Sequence, residues 1–136
     1  MRFVDTNVLL YAVSTAPEEA AKARRARSIL EEADLAVSVQ VLQEFYVHAT
    51  RAGKRDRLTH RQAELLIESF LRFPAQEITV ALLEAALRAR ERFQLSYWDA
   101  AVVEAGRALG CGTILSEDLN HGQDYDGVRV IDPFRK

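Results

Sequence analysis

Short apolar runs alternate with longer stretches of helical period along this chain, and that alternation limits the available folds more than any other feature. The runs Phe3-Val4, Leu35-Ala36-Val37, Thr113-Ile114-Leu115 and Val128-Arg129-Val130-Ile131 are too short for helices and read as buried strands. Gln76-Glu77-Ile78 is a further short candidate. A first helix begins at Val8, behind the polar triplet Asp5-Thr6-Asn7. Thr15-Ala16-Pro17-Glu18 has capping-box spacing and predicts a helix to about Ala33 that buries Ala26, Ile29, Leu30 and Ala33. Ser38 caps the next, with Val41, Leu42, Phe45 and Ala49 on one face, and a turn at Gly53 ends it. Thr59 opens another, carrying Ala63, Leu66, Ile67, Phe70 and Leu71, which Pro74 closes. Val80, Leu83, Ala86 and Leu87 mark the helix after that. Ser96 opens the last, whose predicted inward face is Trp98, Ala101, Val102, Ala105 and Leu109. Strands alternating with helices give βαβ units. The expected architecture is therefore a single α/β domain over residues 1–136, a short parallel β-sheet flanked by helices.

Hydrophobic residues make up 49% of the chain and charged residues 28%, which suits a folded core and excludes disorder. A net charge of -2 gives no global basic footprint, so any nucleic-acid surface must be local. The single Cys111 excludes an internal disulfide and a cysteine-rich zinc site, and reads as a packed core thiol. Asp5 and Asn7 interrupt the apolar N-terminal run, and Glu18-Glu19 stand where a signal peptide would have small residues. No apolar run is long enough to span a bilayer. The expectation is a cytoplasmic protein without a membrane partner.

Acids recur where strands end or helices start. An ionised carboxylate inside the most apolar window of the chain is costly unless it is paired, bound to metal or placed at an element's end, and Asp5 sits in that window. Glu44 falls within the first turns after the second strand. At about 100° per residue it lies about 60° from Val41 and about 40° from His48, on the border of the buried face. A solvated glutamate is the alternative there. Asp99, in Ser96-Tyr97-Trp98-Asp99, also reads as a capping-box acid favoured by the helix dipole. Ser116-Glu117-Asp118 forms an acidic turn after Leu115. Right-handed crossovers bring the strand ends to one edge of a parallel sheet, the edge at which ligands bind. Two carboxylates about 4 Å apart repel by about 4 kcal/mol at an effective dielectric of about 20. Several of them in one place raise one another's pKa unless a cation neutralises them. Oxygen ligands without cysteine or clustered histidine suit Mg²⁺ or Mn²⁺, and such an ion can activate water for attack on a phosphodiester. His48, His60 and His121 are too scattered in sequence to form a metal site.

Basic residues concentrate between Arg51 and Arg61, where Arg51, Lys54, Arg55, Arg57 and Arg61 face only Asp56. That turn reads either as a solvated hairpin tip or as a phosphate-backbone contact. Lys22, Arg24, Arg25 and Arg27 spread around a helix cylinder, and Arg88, Arg90 and Arg92 look like an exposed face.

Asp5-Thr6-Asn7 after a strand, Ser38 with Glu44 on the following helix, Trp98-Asp99 opening a later helix and the Ser116-Glu117-Asp118 turn together resemble a PIN domain. The chain length, the ending Val130-Ile131-Asp132-Pro133-Phe134 and the helical insert resemble the VapC-type toxins of toxin–antitoxin pairs. The resemblance implies a Mg²⁺- or Mn²⁺-dependent endoribonuclease, commonly a homodimer, silenced by a cognate VapB-type antitoxin. By position it makes Asp5, Glu44, Asp99 and Asp118 the catalytic, metal-binding carboxylates, with Glu117 the alternative to Asp118. It makes Thr6, Asn7, Ser38, Ser116 and Glu117 the groups around them that orient carboxylates or waters. A PIN-like scaffold that binds RNA or a protein partner without turnover is the alternative function. A phosphatase that needs a second Asp two residues after its nucleophile meets Asn7 instead. A phospho-receiver needs a late lysine, and Lys136 is the only one after Lys54.

Overall fold

A computed structural model describes all residues, Met1–Lys136. Five strands form one parallel sheet: β1 (Arg2–Val4), β2 (Leu35–Ser38), β3 (Ala75–Gln76), β4 (Thr113–Leu115) and β5 (Arg129–Ile131). Their order is β3-β2-β1-β4-β5. The order reverses on either side of β1, so the chain leaves β1 towards β2 and returns across it to β4. A crevice opens beyond the carboxyl ends at such a reversal. β1 pairs Phe3 with Ala36 on one side and Val4 with Leu115 on the other. Asp5 and Ser116 are therefore the first residues beyond adjacent strands.

The helices are α1 (Thr6–Val13), α2 (Ala20–Leu30), α3 (Val39–Ala49), α4 (His60–Phe70), α5 (Val80–Phe93) and α6 (Tyr97–Ala108). Their starts follow the expected caps closely. Ser38 accepts from Val41 N at 3.1 Å, and Thr59 and Gln62 form a reciprocal capping box. The core is continuous across the sheet, with Phe3, Leu9, Ile29, Leu35, Phe45 and Ile114 fully buried. Cys111 is buried as a core thiol.

Several sequence expectations shift. Thr15 caps nothing: its backbone N–H donates to Asp56, and Ser14 takes the local role, accepting from Ala16 N and donating to Glu19. A short 3₁₀ turn over Pro17–Glu19 precedes α2, which stops at Leu30 and leaves Ala33 exposed. The third strand is Ala75–Gln76, with Ile78 outside it, because its partner β2 ends at Ser38 as α3 begins. On α5 the buried stripe is Leu82, Ala86 and Ala89, while Val80, Leu83 and Leu87 face outward. Both stripes carry apolar residues at helical spacing, so periodicity alone does not choose between them.

Trp98 is likewise on the outside, 63% exposed. α6 instead buries the small residues Ala100, Ala101, Val102, Val103, Ala105 and Gly106, which lets its backbone lie close to the sheet. A Cβ at Gly106 would stand 2.5 Å from Ile114 Cδ1 and 3.4 Å from Phe3 Cβ. Gly106→Val should therefore destabilise the protein by about 1–3 kcal/mol, the usual cost of overpacking. Urea unfolding checks this, and a midpoint equal to that of the parent would refute the close approach.

Candidate active site

The carboxyl edge of the sheet gathers every acid that the sequence singled out. Asp5, in extended conformation, caps α1, and its Oδ1 accepts from Thr6 N at 2.8 Å. Its Oδ2 accepts from the Ser116 hydroxyl at 2.7 Å. Ser116 is fully buried, and its Oγ also accepts from Asp118 N at 3.1 Å and from Asn7 Nδ2 at 3.3 Å. Asn7 joins the two turns: its Nδ2 donates to Asp118 Oδ2 at 3.2 Å, and its Oδ1 accepts from Glu117 N at 3.2 Å. Thr6 Oγ1 donates to Glu44 Oε2 at 3.0 Å, and Gln40 Nε2 donates to Glu44 Oε1 at 3.1 Å. Glu44 is thus held on both oxygens and is not a free solvated side chain. Asp99 N donates to the Ser96 cap at 3.1 Å, and the half-buried carboxyl of Asp99 is close enough to feel the charges of Glu44 and Asp118.

The electrostatics follow from burial without positive partners. Burial pushes the Asp5 carboxyl up to about 6. The Ser116 and Thr6 hydrogen bonds oppose that rise, and the charges of Asp118 and Glu44 add to it. Asp99 is also raised, first by burial and then by Asp118 and Glu44. The hydrogen bonds to Asp5 and Glu44 come from hydroxyls, an amide and a backbone N–H, none of which carries charge.

Glu117 behaves differently from its neighbour. Lys22 Nζ lies 2.6 Å from its Oε2, and Tyr11 O–H donates to its Oε1 at 2.6 Å. Although burial alone would raise this carboxyl, the Lys22 and Tyr11 contacts win and hold it below its ordinary value. Neutralised in this way, Glu117 is turned away from the acids that lack a cation, whereas Asp118 remains exposed and joined to Asn7. Of the two acids in this turn, Glu117 is drawn into an ion pair and Asp118 is left without a cationic partner. Ser38, buried at the end of β2, has its Oγ occupied by the α3 backbone and reaches no carboxylate.

As the side chains stand, no three acidic, histidine or cysteine groups close around one point. Thr6, Asn7 and Ser116 hold Glu44, Asp118 and Asp5 where they rest. The donor set still fits a hard divalent cation: oxygens only, an excess of negative charge, and a buried acid that neutral donors cannot fully stabilise. Mg²⁺ keeps several waters and needs only one or two protein carboxylates, so a loose arrangement is no obstacle.

Gln40, Tyr11 and Lys22 are the contributors that sequence reading missed. Gln40 stands four residues before Glu44 on one helix, a spacing that puts the two side chains together and gives a usable signal. Lys22 and Tyr11 reach Glu117 from about a hundred residues away, and no local pattern announces them. The basic turn between α3 and α4 is largely self-satisfied. Lys54 pairs with Asp56, Arg61 with Glu64, Arg57 with the Thr50 carbonyl and Arg51 with His48. No helix is long and apolar enough to cross a membrane.

Comparison with known proteins agrees with this fold. The model of the PIN domain matches residues 2–123. Among solved structures, FitAcB from Neisseria gonorrhoeae superposes with a TM-score of 0.73 at 16% identity, covering 100% of both chains. A toxin–antitoxin complex from Klebsiella pneumoniae gives a TM-score of 0.70 at 19% identity, covering 98% of each chain. VapC20 from Mycobacterium tuberculosis, a sarcin–ricin loop cleaving toxin, gives 0.68 at 20% identity, covering 87% of this chain and 90% of its own. At these identities the likeness is one of fold. No curated protein matches the chain significantly. With a family match over nearly its whole length, a five-stranded parallel sheet and acids gathered at the sheet's carboxyl edge, this chain belongs to the PIN domain family.

Proposed function

We propose that the protein is a divalent-metal-dependent endoribonuclease, the toxin of a VapBC-type toxin–antitoxin pair acting in the cytoplasm. The observation that carries this reading is the buried Asp5, pushed up to about 6, close to Glu44 and Asp118 and without a cationic side chain bonded to it, with Asp99 feeling the same two neighbours. Asp5, Glu44, Asp99 and Asp118 would hold Mg²⁺ or Mn²⁺. When bound, such an ion lowers the pKa of water towards neutrality and stabilises charge developing on phosphate oxygens. The chain's own residues set the stage. Ser116 holds Asp5, Thr6 and Gln40 hold Glu44, and Asn7 holds Asp118 against the opening turn. Lys22 and Tyr11 keep Glu117 from adding further repulsion. The structural neighbours that are toxin–antitoxin assemblies, and the sarcin–ricin loop cleaving toxin VapC20, support the toxin role and an antitoxin partner for this chain. A homodimer is part of the same reading, and the outward Leu87 of α5, away from the site, is open to a protein partner.

Purified protein incubated with RNA should cut it in Mg²⁺ or Mn²⁺ and stop in excess EDTA. Cleavage that persists in EDTA, or none in any divalent ion, would overturn the reading. Within the acidic turn, Asp118→Asn should cost about a hundredfold or more in cleavage rate, whereas Glu117→Gln should cost less than about tenfold. Equal losses would remove the distinction drawn between them.

A further inference from the structure

Trp98 is the only tryptophan of the chain, and it stands in solvent directly beside the acidic edge. It immediately precedes Asp99 in the first turn of α6. Its ring meets Tyr97 edge to face, with centroids 5.0 Å apart and planes at 83°, which fixes the indole while leaving it exposed. Between this indole and α3 runs a groove of about 460 Å³ lined by Gln40, Gln43, Glu44, Val47, His48 and Trp98. Glu44 belongs both to this groove and to the acid cluster, so the two are continuous.

The lining is mixed in a particular way. An aromatic face stands opposite polar groups that can meet the edge of a flat heterocycle. Gln40 is bound to Glu44, but Gln43 is exposed, with its carboxamide open to solvent. His48 accepts from the exposed Arg51 guanidinium at 2.7 Å on its Nδ1, so a positive charge stands next to the groove, bonded to one of its lining residues. A stacking face, a free carboxamide and a cation are what single-stranded nucleic acid uses: base on aromatic ring, base edge on amide, backbone on guanidinium.

We propose that Trp98 is the stacking platform for a base of single-stranded RNA next to the phosphate held at the acidic edge, with Gln43 at that base's edge. The inference rests on the ribonuclease reading and makes it narrower: the substrate enters as an unpaired segment, because a paired base offers no free face to the indole. Trp98 is a positioning residue and touches no reacting atom. The opposite side of the indole borders an apolar groove with Ile78, Val80 and Leu83, which suits a protein surface. Burial of Trp98 against another protein chain is therefore the competing outcome.

The only tryptophan makes the test direct in the unmodified protein. Short labelled oligoribonucleotides are titrated in EDTA and again in Mg²⁺, with RNA anisotropy and tryptophan emission followed together. Saturable quenching that tracks the anisotropy is expected. Trp98→Ala should weaken binding roughly tenfold to a hundredfold, and Trp98→Phe should restore most of it. In cleavage, Trp98→Ala should raise KM far more than it lowers kcat, with an unchanged melting temperature. A duplex of the same sequence should quench less than the single strand. RNA that binds without changing the emission overturns the platform and leaves the nuclease reading standing. No RNA binding in either condition overturns both. Emission that depends on protein concentration without RNA assigns Trp98 to a protein interface and overturns the platform.

Discussion

Asp5→Asn should abolish divalent-dependent RNA cleavage and, in the same protein, raise the melting temperature measured in EDTA. The two effects have opposite sign because one carboxylate serves two states. With a cation present, Asp5 supplies negative charge at the centre of the cluster, and its loss should cost about a hundredfold or more in rate. Without a cation, its ionised form is a buried charge that Ser116 Oγ and Thr6 N only partly stabilise. Asparagine keeps one acceptor oxygen, enough for Thr6 N or the Ser116 hydroxyl but not both, while removing the charge and its repulsion from Asp118 and Glu44. The metal-free variant should therefore gain about 1–2 kcal/mol near neutral pH, which for a domain of this size is several degrees. Asp99→Asn should lose cleavage to a similar degree with less gain in stability, since Asp99 is only half-buried. An Asp5→Asn protein as active as the parent would refute the assignment of the site. One that is inactive and also less stable would show that the carboxylate holds the fold together, and would refute the idea that it strains it.

The sheet and the positions of the acids were legible because both depend on local signals. Short apolar runs specify strands, a polar triplet ends the first of them, and parallel pairing then sends Asp5 and Ser116 to the same edge. What escaped notice depends on which of two plausible faces a helix buries. Leu82, Ala86 and Ala89 won over Val80, Leu83 and Leu87 because α5 and α6 lie together through small residues. That preference arises only once Gly106 has brought α6 down onto Ile114 and Phe3. Hydrophobicity predicts Trp98 in the core, yet a face built to pack alanines closely has no room for an indole. Glu117 and Asp118 could not be ranked from sequence, since the answer lies with Lys22 and Tyr11 on distant helices. Thr15 lost its cap role to Ser14 for a similar reason, as Asp56 reaches across from another loop to take the Thr15 N–H.

In EDTA the protein should be most stable in mildly acid solution and should lose stability as pH rises towards neutral. Asp5 titrates at about 6 in the fold against 3.8 for the free side chain. Between those values the folded protein keeps a proton that the unfolded chain has released, so raising the pH favours unfolding throughout that window. The full difference corresponds to about 3 kcal/mol once both states are ionised. Asp99, raised for the same reason, adds to the fall. Asp56 works in the other direction. Its bond to Lys54 lowers it to about 2, so its contribution is present above the free value of 3.8 and lost as pH drops below it. The two windows meet near pH 4, and Glu117, also held below its ordinary value, loses its contribution in acid too, so the fold is favoured on the mildly acid side of neutral. Mg²⁺ or Mn²⁺ should reverse the decline on the neutral side, because an ion that binds only the ionised, folded cluster stabilises it by mass action. Melting temperatures across this range, with EDTA and with each ion, check the prediction, and Asp5→Asn should flatten the metal-free slope. A metal-free protein as stable at about pH 8 as at about pH 4.5, or one indifferent to both ions, would mean that the buried acid is already satisfied within the fold, leaving no electrostatic demand for a cation.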